Sequence, residues 1–167
     1  MTNAWHEKFS EEEYVYGKEP NEFLVEAASF LPDGKILCIA EGEGRNAVYL
    51  AKNGHEVTAW DYAQAGLDKT ARLAEEENVR VATELHDLAE VEWEAEQWDA
   101  IVHIFGHLPK PILNRTLGGI KKALKPGGMY VSELYTKEQL RYGTGGPKDL
   151  EMLIDPKDML RHFDGYF

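Results

Sequence analysis

The sequence predicts an α/β fold: a doubly wound, mainly parallel sheet with helices on both faces. Three observations predict it. Five apolar runs of strand length recur along the chain, and helical spacings of apolar residues separate most of them. A glycine-rich turn follows the first run directly. Side chains able to hold a ligand fall at the C-terminal ends of the runs, and open α/β sheets bind ligands there, where the strand order reverses.

Pro20 and Asn21 open the first helix, since proline suits a first turn and asparagine caps. Phe23, Leu24, Ala27, Ala28 and Leu31 share one face of it, and Pro32-Asp33-Gly34 ends it. Lys35 to Ala40 is a continuous apolar run, as in a strand covered on both faces. After Glu41-Gly42-Glu43-Gly44, residues 45–53 read as a helix with Ala47, Val48 and Ala51 in register and Asn53-Gly54 as its stop. His55 to Trp60 is the second strand, closed by Asp61. Residues 63–77 form an amphipathic helix with Leu67, Ala71 and Ala74 inward. A third strand runs from Val79 to Leu85 and ends at His86-Asp87. Beyond an acidic loop, Trp98 to Phe105 is the fourth. Leu113, Leu117, Ile120 and Leu124 make one helical stripe, and Lys125-Pro126-Gly127-Gly128 turns into the fifth strand, Met129 to Leu134. Residues 148–163 read as a last helix.

At 167 residues the chain has the length of a single domain, and 43% apolar residues suffice for a real core. Eighteen basic against 30 acidic residues give a net charge of -12. Such a surface repels phosphate backbones and anionic membranes, so neither nucleic acid nor membrane is expected as partner. The start has no apolar leader and no run approaches a membrane span, so a cytoplasmic protein is expected. One cysteine, Cys38, excludes a disulfide framework and reads as a core residue. The six histidines show no ligand spacing on a helix, so no metal site is expected. The four tryptophans read as packing residues, because no basic stripe accompanies them.

The glycine turn carries the first ligand argument. Gly42 and Gly44 let the backbone turn sharply and approach a ligand closely. Glu41 and Glu43 then choose between ligands, unless they are merely solvated turn residues. A pyrophosphate about 5 Å from a carboxylate is repelled by roughly 3 kcal/mol at an effective dielectric near 20. A cationic nucleoside such as S-adenosylmethionine gains from the same charges and is favoured over NAD. Arg45 reads as a counter-charge to these acids. Asp61 suits the two hydroxyls of a ribose, or the capping of the following helix. Tyr62 can lie against an adenine ring. Asp87 can accept from an adenine amino group while the Leu88 amide faces a ring nitrogen.

The series AEGEGRN at 40–46, AWDYA at 59–63, HDL at 86–88, WDAIVHIF at 98–105 and LKPGGMYVSELY at 124–135 resembles the class I S-adenosylmethionine-dependent methyltransferases. Within them it is similar to small bacterial tellurite-resistance and thiopurine methyltransferases. The resemblance implies a Rossmann-like methyltransferase fold with S-adenosylmethionine as cofactor. Glu41, Gly42 and Gly44 would hold the methionyl part, Asp61 the ribose, and Asp87 and Leu88 the adenine. His103, Ile104 and Phe105 would line the reacting methyl. Residues 14–21 would fold over the cofactor, with Tyr16 and Gly17 in contact. Residues 1–31 would thus be a lid and helix, 32–135 the cofactor-binding core, and 136–167 a substrate-side segment. The family's sheet has two further strands after the fifth. Here they are missing, so the fifth strand is expected to be an open edge that a second copy covers, unless the chain is a fragment.

Methyl transfer from a sulfonium is an in-line displacement onto a small-molecule acceptor, and the protein's part is alignment and exclusion of water. A general base is needed only where the acceptor must lose a proton. His107 and Glu133 are the catalytic candidates, with His103 and Tyr135 behind them, and each reads alternatively as a satisfied polar residue. Gly143 to Pro147 reads as a substrate-side loop or a plain turn. The rival readings are an NAD-linked oxidoreductase and a non-catalytic nucleoside-binding domain.

Overall fold

The computed structural model describes residues 3–166. Met1 and Thr2, part of the start read as lacking a leader, and Phe167 lie outside the described residues. Five strands form one sheet: β1 (Lys35–Ile39), β2 (Glu56–Asp61), β3 (Val81–Leu85), β4 (Trp98–Ile104) and β5 (Leu124–Glu133). Their order is β3-β2-β1-β4-β5, with every neighbouring pair parallel. The chain moves outward from β1 to β3, then crosses to the other side of β1, so the order reverses between β1 and β4.

Register decides what gathers at that reversal. Ile39 pairs with both Trp60 and His103, Asp61 with Leu85, and Ile104 with Glu133. The strands therefore end nearly level, and Glu41, Asp61, Asp87, Phe105 and Glu133 emerge along one rim.

Each central strand is apolar on both sides because both sides are covered. Leu37, Ile39, Trp60 and Ile101 pack with Leu113, Leu117 and Ile120 of α5 (Lys110–Ala123). Ile36, Cys38, Val57, Ala59, Ala100 and Val102 pack with Leu24 of α2 (Glu22–Ala27), Ala47 and Leu50 of α3 (Arg45–Lys52), and Leu67 of α4 (Gln64–Glu76). A fully buried leucine of this kind contributes about 1.5–3 kcal/mol relative to an exposed one. Cys38 is buried, as its apolar neighbours implied. Trp60 lies 5.2 Å from the Trp93 ring and 6.3 Å from the Trp98 ring, centroid to centroid, so three of the tryptophans pack together.

Several elements differ from the sequence reading. A short helix, α1 (Ala4–Phe9), precedes the expected ones, capped by the Asn3 side chain, which accepts from the amides of Trp5 and His6. On α2, Phe23 is exposed rather than inward, and Asn21 caps the helix through the Leu24 amide. On α4, Ala71 is exposed while Lys69 and Thr70 are buried. Strand β5 begins at Leu124, because Leu124 already pairs with Trp98. The Lys125–Gly128 turn is absorbed as a register shift before Ala100 meets Met129. The helix expected over 148–163 is broken. A 3-10 turn spans Leu150–Met152, Ile154 bridges Thr136 in parallel, and α6 (Pro156–Arg161) starts afresh. Pro156 has no amide hydrogen to continue a helix but suits a first position, and Asp155 caps it through the Lys157 amide.

Candidate functional site

The turn after β1 is built by three backbone positions of positive φ: Ala40 (49°), Gly42 (70°) and Gly44 (95°). Gly44 has a second constraint. A Cβ there would lie 2.8 Å from the Thr70 backbone, so α4 can approach the turn only because position 44 has no side chain.

Glu41 and Asp61, two of the acids that the sequence places at the ligand, first shape this turn. One Glu41 oxygen accepts from the amides of Asn46 (3.1 Å) and Ala47 (2.7 Å), closing the first turn of α3. Burial pushes its carboxyl up to about 7, against the lowering pull of those two amides and of Arg45; Asp61 adds to the rise. Asp61 accepts from the Gly42 amide (2.8 Å) with one oxygen and from the Ala63 amide (2.9 Å) with the other. Burial raises its carboxyl too, opposed by these amides. It therefore links β2, the glycine turn and the start of α4. A carboxylate offers about four lone-pair sites, so acceptor capacity remains on each for a ligand.

Glu43 behaves differently. Its side chain is buried and ion-paired with Lys69 at 2.7 Å, and its other oxygen accepts from the Val15 amide at 2.8 Å. The charge that the sequence assigned to a cationic ligand is neutralised inside the protein. What remains for a ligand's cation is Glu41 and Asp61. Arg45 makes no ion pair with the turn; its guanidinium donates to the Glu19 carbonyl at 3.4 Å.

Farther out, Tyr62 is 46% exposed beyond β2. Burial raises its phenol, followed by the charges of Asp61 and Asp87, so it stands within reach of both acids' fields. Asp87 is exposed, with one oxygen taking the Ala89 amide at 2.8 Å. Leu88 is buried in the core beside Trp60 and Trp93.

At the other side of the reversal an open cleft of ≈ 710 Å³ lies against the ends of β4 and β5. Tyr16, Gly17, Asn21, Arg45, Phe105 and Glu133 are among its walls. Asn21 donates through Nδ2 to Glu133 at 3.4 Å, its amide donates to the Asn46 side chain at 2.8 Å, and it is itself buried. Glu133 is thus joined through Asn21 to the start of α3.

Two histidines are fully engaged in hydrogen bonds, the alternative that the sequence left open for each. His107 accepts the Tyr135 amide at Nε2 (2.8 Å), which places its proton on Nδ1, 3.1 Å from the Phe105 carbonyl. Burial lowers its pKa below the ordinary 6.5. Both nitrogens are engaged in this arrangement, and His107 fastens the loop after β4 to the end of β5. His103 is fully buried, with Nδ1 against the Tyr130 hydroxyl (2.9 Å) and Nε2 against the Gly106 carbonyl (2.5 Å). Burial depresses it to about 4. Its side chain carries no charge near neutrality. Ile104 is partly buried and packs toward the core under β5. Tyr135 stacks on Phe105 at 4.8 Å and on His107 at 5.5 Å, and Gly146 packs on its ring, so the Gly143–Pro147 stretch has at least one fixed contact.

The structure therefore gathers Glu41, Gly42, Gly44 and Asp61 at the turn, Tyr16, Gly17 and Glu133 at the cleft, and Tyr62 and Asp87 at the outer rim. Sequence reasoning missed Lys69, Asn21 as a link to Glu133, and Asn46. Lys69 carried one signal: it lies three residues after Gly66 and four before Leu73, on the side of α4 that the fold buries. Among the described residues no group of three or more metal-ligating side chains occurs, and no helix is long and apolar enough to cross a membrane.

Comparison with known proteins agrees with the fold. A family described as a methyltransferase domain matches residues 36–128. A probable S-adenosyl-L-methionine-dependent methyltransferase, TehB of Haemophilus influenzae, is 29% identical over 107 residues, 63% of this chain and 37% of that protein. The chain thus spans little more than a third of that relative's length. In fold it is similar to the crystal structure of TehB from Haemophilus influenzae, with a TM-score of 0.71 and 22% identity over 96% of this chain and 55% of that one. It is also similar in fold to geranyl diphosphate C-methyltransferase from Streptomyces coelicolor A3(2), with a TM-score of 0.64 and 18% identity over 84% of this chain and 56% of that one.

Proposed function

The chain belongs to the methyltransferase domain family, and from that premise we propose that it transfers the methyl group of S-adenosylmethionine to a small-molecule acceptor held in the cleft. One observation carries the reading: Glu41, Asp61 and Asp87 end three adjacent parallel strands, and a turn with no side chains at 42 and 44 lies between the first two. The donor set fits the group. Glu41 has a carboxylate for an ammonium, Asp61 has acceptor capacity for two ribose hydroxyls, and Asp87 keeps an oxygen for an adenine amino group. Neutralisation of Glu43 weakens the case against a pyrophosphate but does not remove it, since among the described residues Glu41 and Asp61 form no ion pair.

When bound, S-adenosylmethionine supplies a methyl group on cationic sulfur: the acceptor's lone pair forms the new bond to carbon as the carbon–sulfur pair returns to sulfur. The residues of this chain align that displacement and keep water out. Tyr16 and Gly17 wall the cleft on one side, and Phe105, stacked on Tyr135, walls it on another. Glu133, steadied by Asn21, takes a proton where the acceptor has one to lose, a role that leaves His107 to hold Tyr135. A soft acceptor such as a thiolate or an oxyanion of selenium or tellurium loses none. The open edge of β5 supports a second copy of the chain as partner.

Titration calorimetry with S-adenosylmethionine, S-adenosylhomocysteine and NAD tests the reading. The two sulfur nucleosides are expected to bind and NAD is not; NAD as sole ligand would make the chain an oxidoreductase domain instead. Asp61→Ala is expected to weaken the binding by about 1–3 kcal/mol, because a charged hydrogen-bond partner is lost. Binding without methyl transfer to any of a panel of thiols and oxyanions would leave the non-catalytic reading.

A further inference from the structure

Glu43 and Lys69 form one of the most enclosed polar contacts in the molecule, with side-chain exposures of 3% and 5%. Neither touches the cleft. The partners of both lie in the N-terminal segment. Lys69 Nζ donates to the Glu13 carbonyl at 2.6 Å, and Glu43 accepts from the Val15 amide at 2.8 Å. Tyr14, between them, donates its hydroxyl to the Lys69 carbonyl at 3.2 Å and lays its ring 5.2 Å from the same ammonium. Lys18 covers that ring at 4.8 Å and pairs with Glu76 of α4. One residue of the glycine turn and one of α4 thus close together on the backbone of residues 13–15.

The segment is fastened again farther on. The Asn21 amide donates to the side chain of Asn46, in the first turn of α3. Between the two fastenings run Tyr16, Gly17, Lys18, Glu19 and Pro20, all walls of the cleft. A strap anchored at both ends to the elements that flank the glycine turn cannot swing away without giving up its backbone hydrogen bonds to a buried ion pair, which leaves that pair with polar capacity unmet. Removing one partner of such a pair strands a desolvated charge, so it holds firmly. Replacing both by apolar side chains is often neutral for stability.

We propose that the Glu43–Lys69 pair is a latch that presets residues 13–20 as a wall beside the glycine turn, and that both side chains are positioning residues that slow the release of the bound nucleoside. The role in release rests on the methyl-transfer reading; the latch itself does not. Glu43 thereby serves the cofactor through the strap rather than by its own charge.

The test compares the parent protein with the double variant Glu43→Leu/Lys69→Met, and reads amide hydrogen exchange and S-adenosylhomocysteine kinetics. Exchange of the Val15 amide is expected to rise about a hundredfold while the β1 and β4 amides keep their protection, which shows local opening in a folded protein. S-adenosylhomocysteine is expected to leave about tenfold faster with little change in its association rate. A merely structural pair would not divide the two rate constants in this way. Glu43→Gln/Lys69→Met, which strands no charge and keeps an amide oxygen for Val15, gives a smaller change of the same sign and serves if the first double variant does not fold. Unchanged Val15 exchange overturns the latch, and a loosened strap with an unchanged dissociation rate overturns its role in retention. A parent that binds no S-adenosylhomocysteine overturns the methyl-transfer reading and the retention role together. Faster Val15 exchange in the variant would then still uphold the latch.

Discussion

Glu41 serves two ends that pull its proton in opposite directions. Buried beneath the turn, its carboxyl rises from an ordinary 4.5 to about 7. The native state therefore holds a proton that the unfolded chain has already released. That preference stabilises the fold fully below pH 4.5 and is lost as pH climbs through about 7. A cation on the turn demands the reverse, because only the ionised carboxylate attracts it. Affinity for S-adenosylhomocysteine is expected to weaken as pH falls below about 7, by up to tenfold per pH unit. Calorimetry between pH 5.5 and 8.5 checks it, and Glu41→Gln should flatten the profile. The sequence showed that 41, 61 and 87 carry acids at strand ends, because strand ends are marked by where apolar runs stop. It did not show that Glu43 looks inward or that His107 is bound at both nitrogens. Those facts depend on Lys69 and Tyr135, each 26 or more positions away and brought near only by the fold.

Among elements, the junction of α3, α4 and the glycine turn leaves no room for a side chain at either of two glycines. Gly44 meets the Thr70 backbone, and a Cβ on Gly66 would lie 2.6 Å from the Gly42 carbonyl and 2.9 Å from the Phe9 ring. Gly44→Ala combines a left-handed backbone with overpacking, and is expected to lower stability by about 2–4 kcal/mol, read as a lower urea midpoint at unchanged slope. The strands were legible because buried parallel strands are written as unbroken apolar runs, and their helices because glycine and proline punctuate them. The elements that escaped are short or mixed. Helix α1 has too few residues for a period to show. The Leu153-Ile154 pair sits within a helical spacing, yet Ile154 is taken by the bridge to Thr136. The glycines at 127 and 128 read as a turn, although the parallel pairing of β4 and β5 extends to Leu124 on their far side.

At the scale of the whole molecule, both outer strands are single-sided. β3 is largely exposed along its length, and among the described residues no strand pairs with the outer side of β5. An unpaired strand as long as β5 invites a partner. Sedimentation over a concentration series is expected to show self-association that a proline at Tyr130, in the middle of β5, reduces; a single species at every concentration would leave the edge unused. The sheet order was foreseeable in class, since right-handed crossovers leave few arrangements. What the chain does with its free edge was not, because no residue in β5 names its neighbour.

That every pairing is parallel also has a temporal consequence. No two strands can zip from a tight hairpin, since each parallel partner must first be brought back by a crossover of a dozen or more residues. Loop closure then precedes reward at all four pairings, and β1, which needs partners on both sides, cannot be completed until β4 arrives from beyond residue 97. The refolding chain passes through species with bare central strands, so dilution and low temperature during recovery from denaturant favour the native sheet over precipitate.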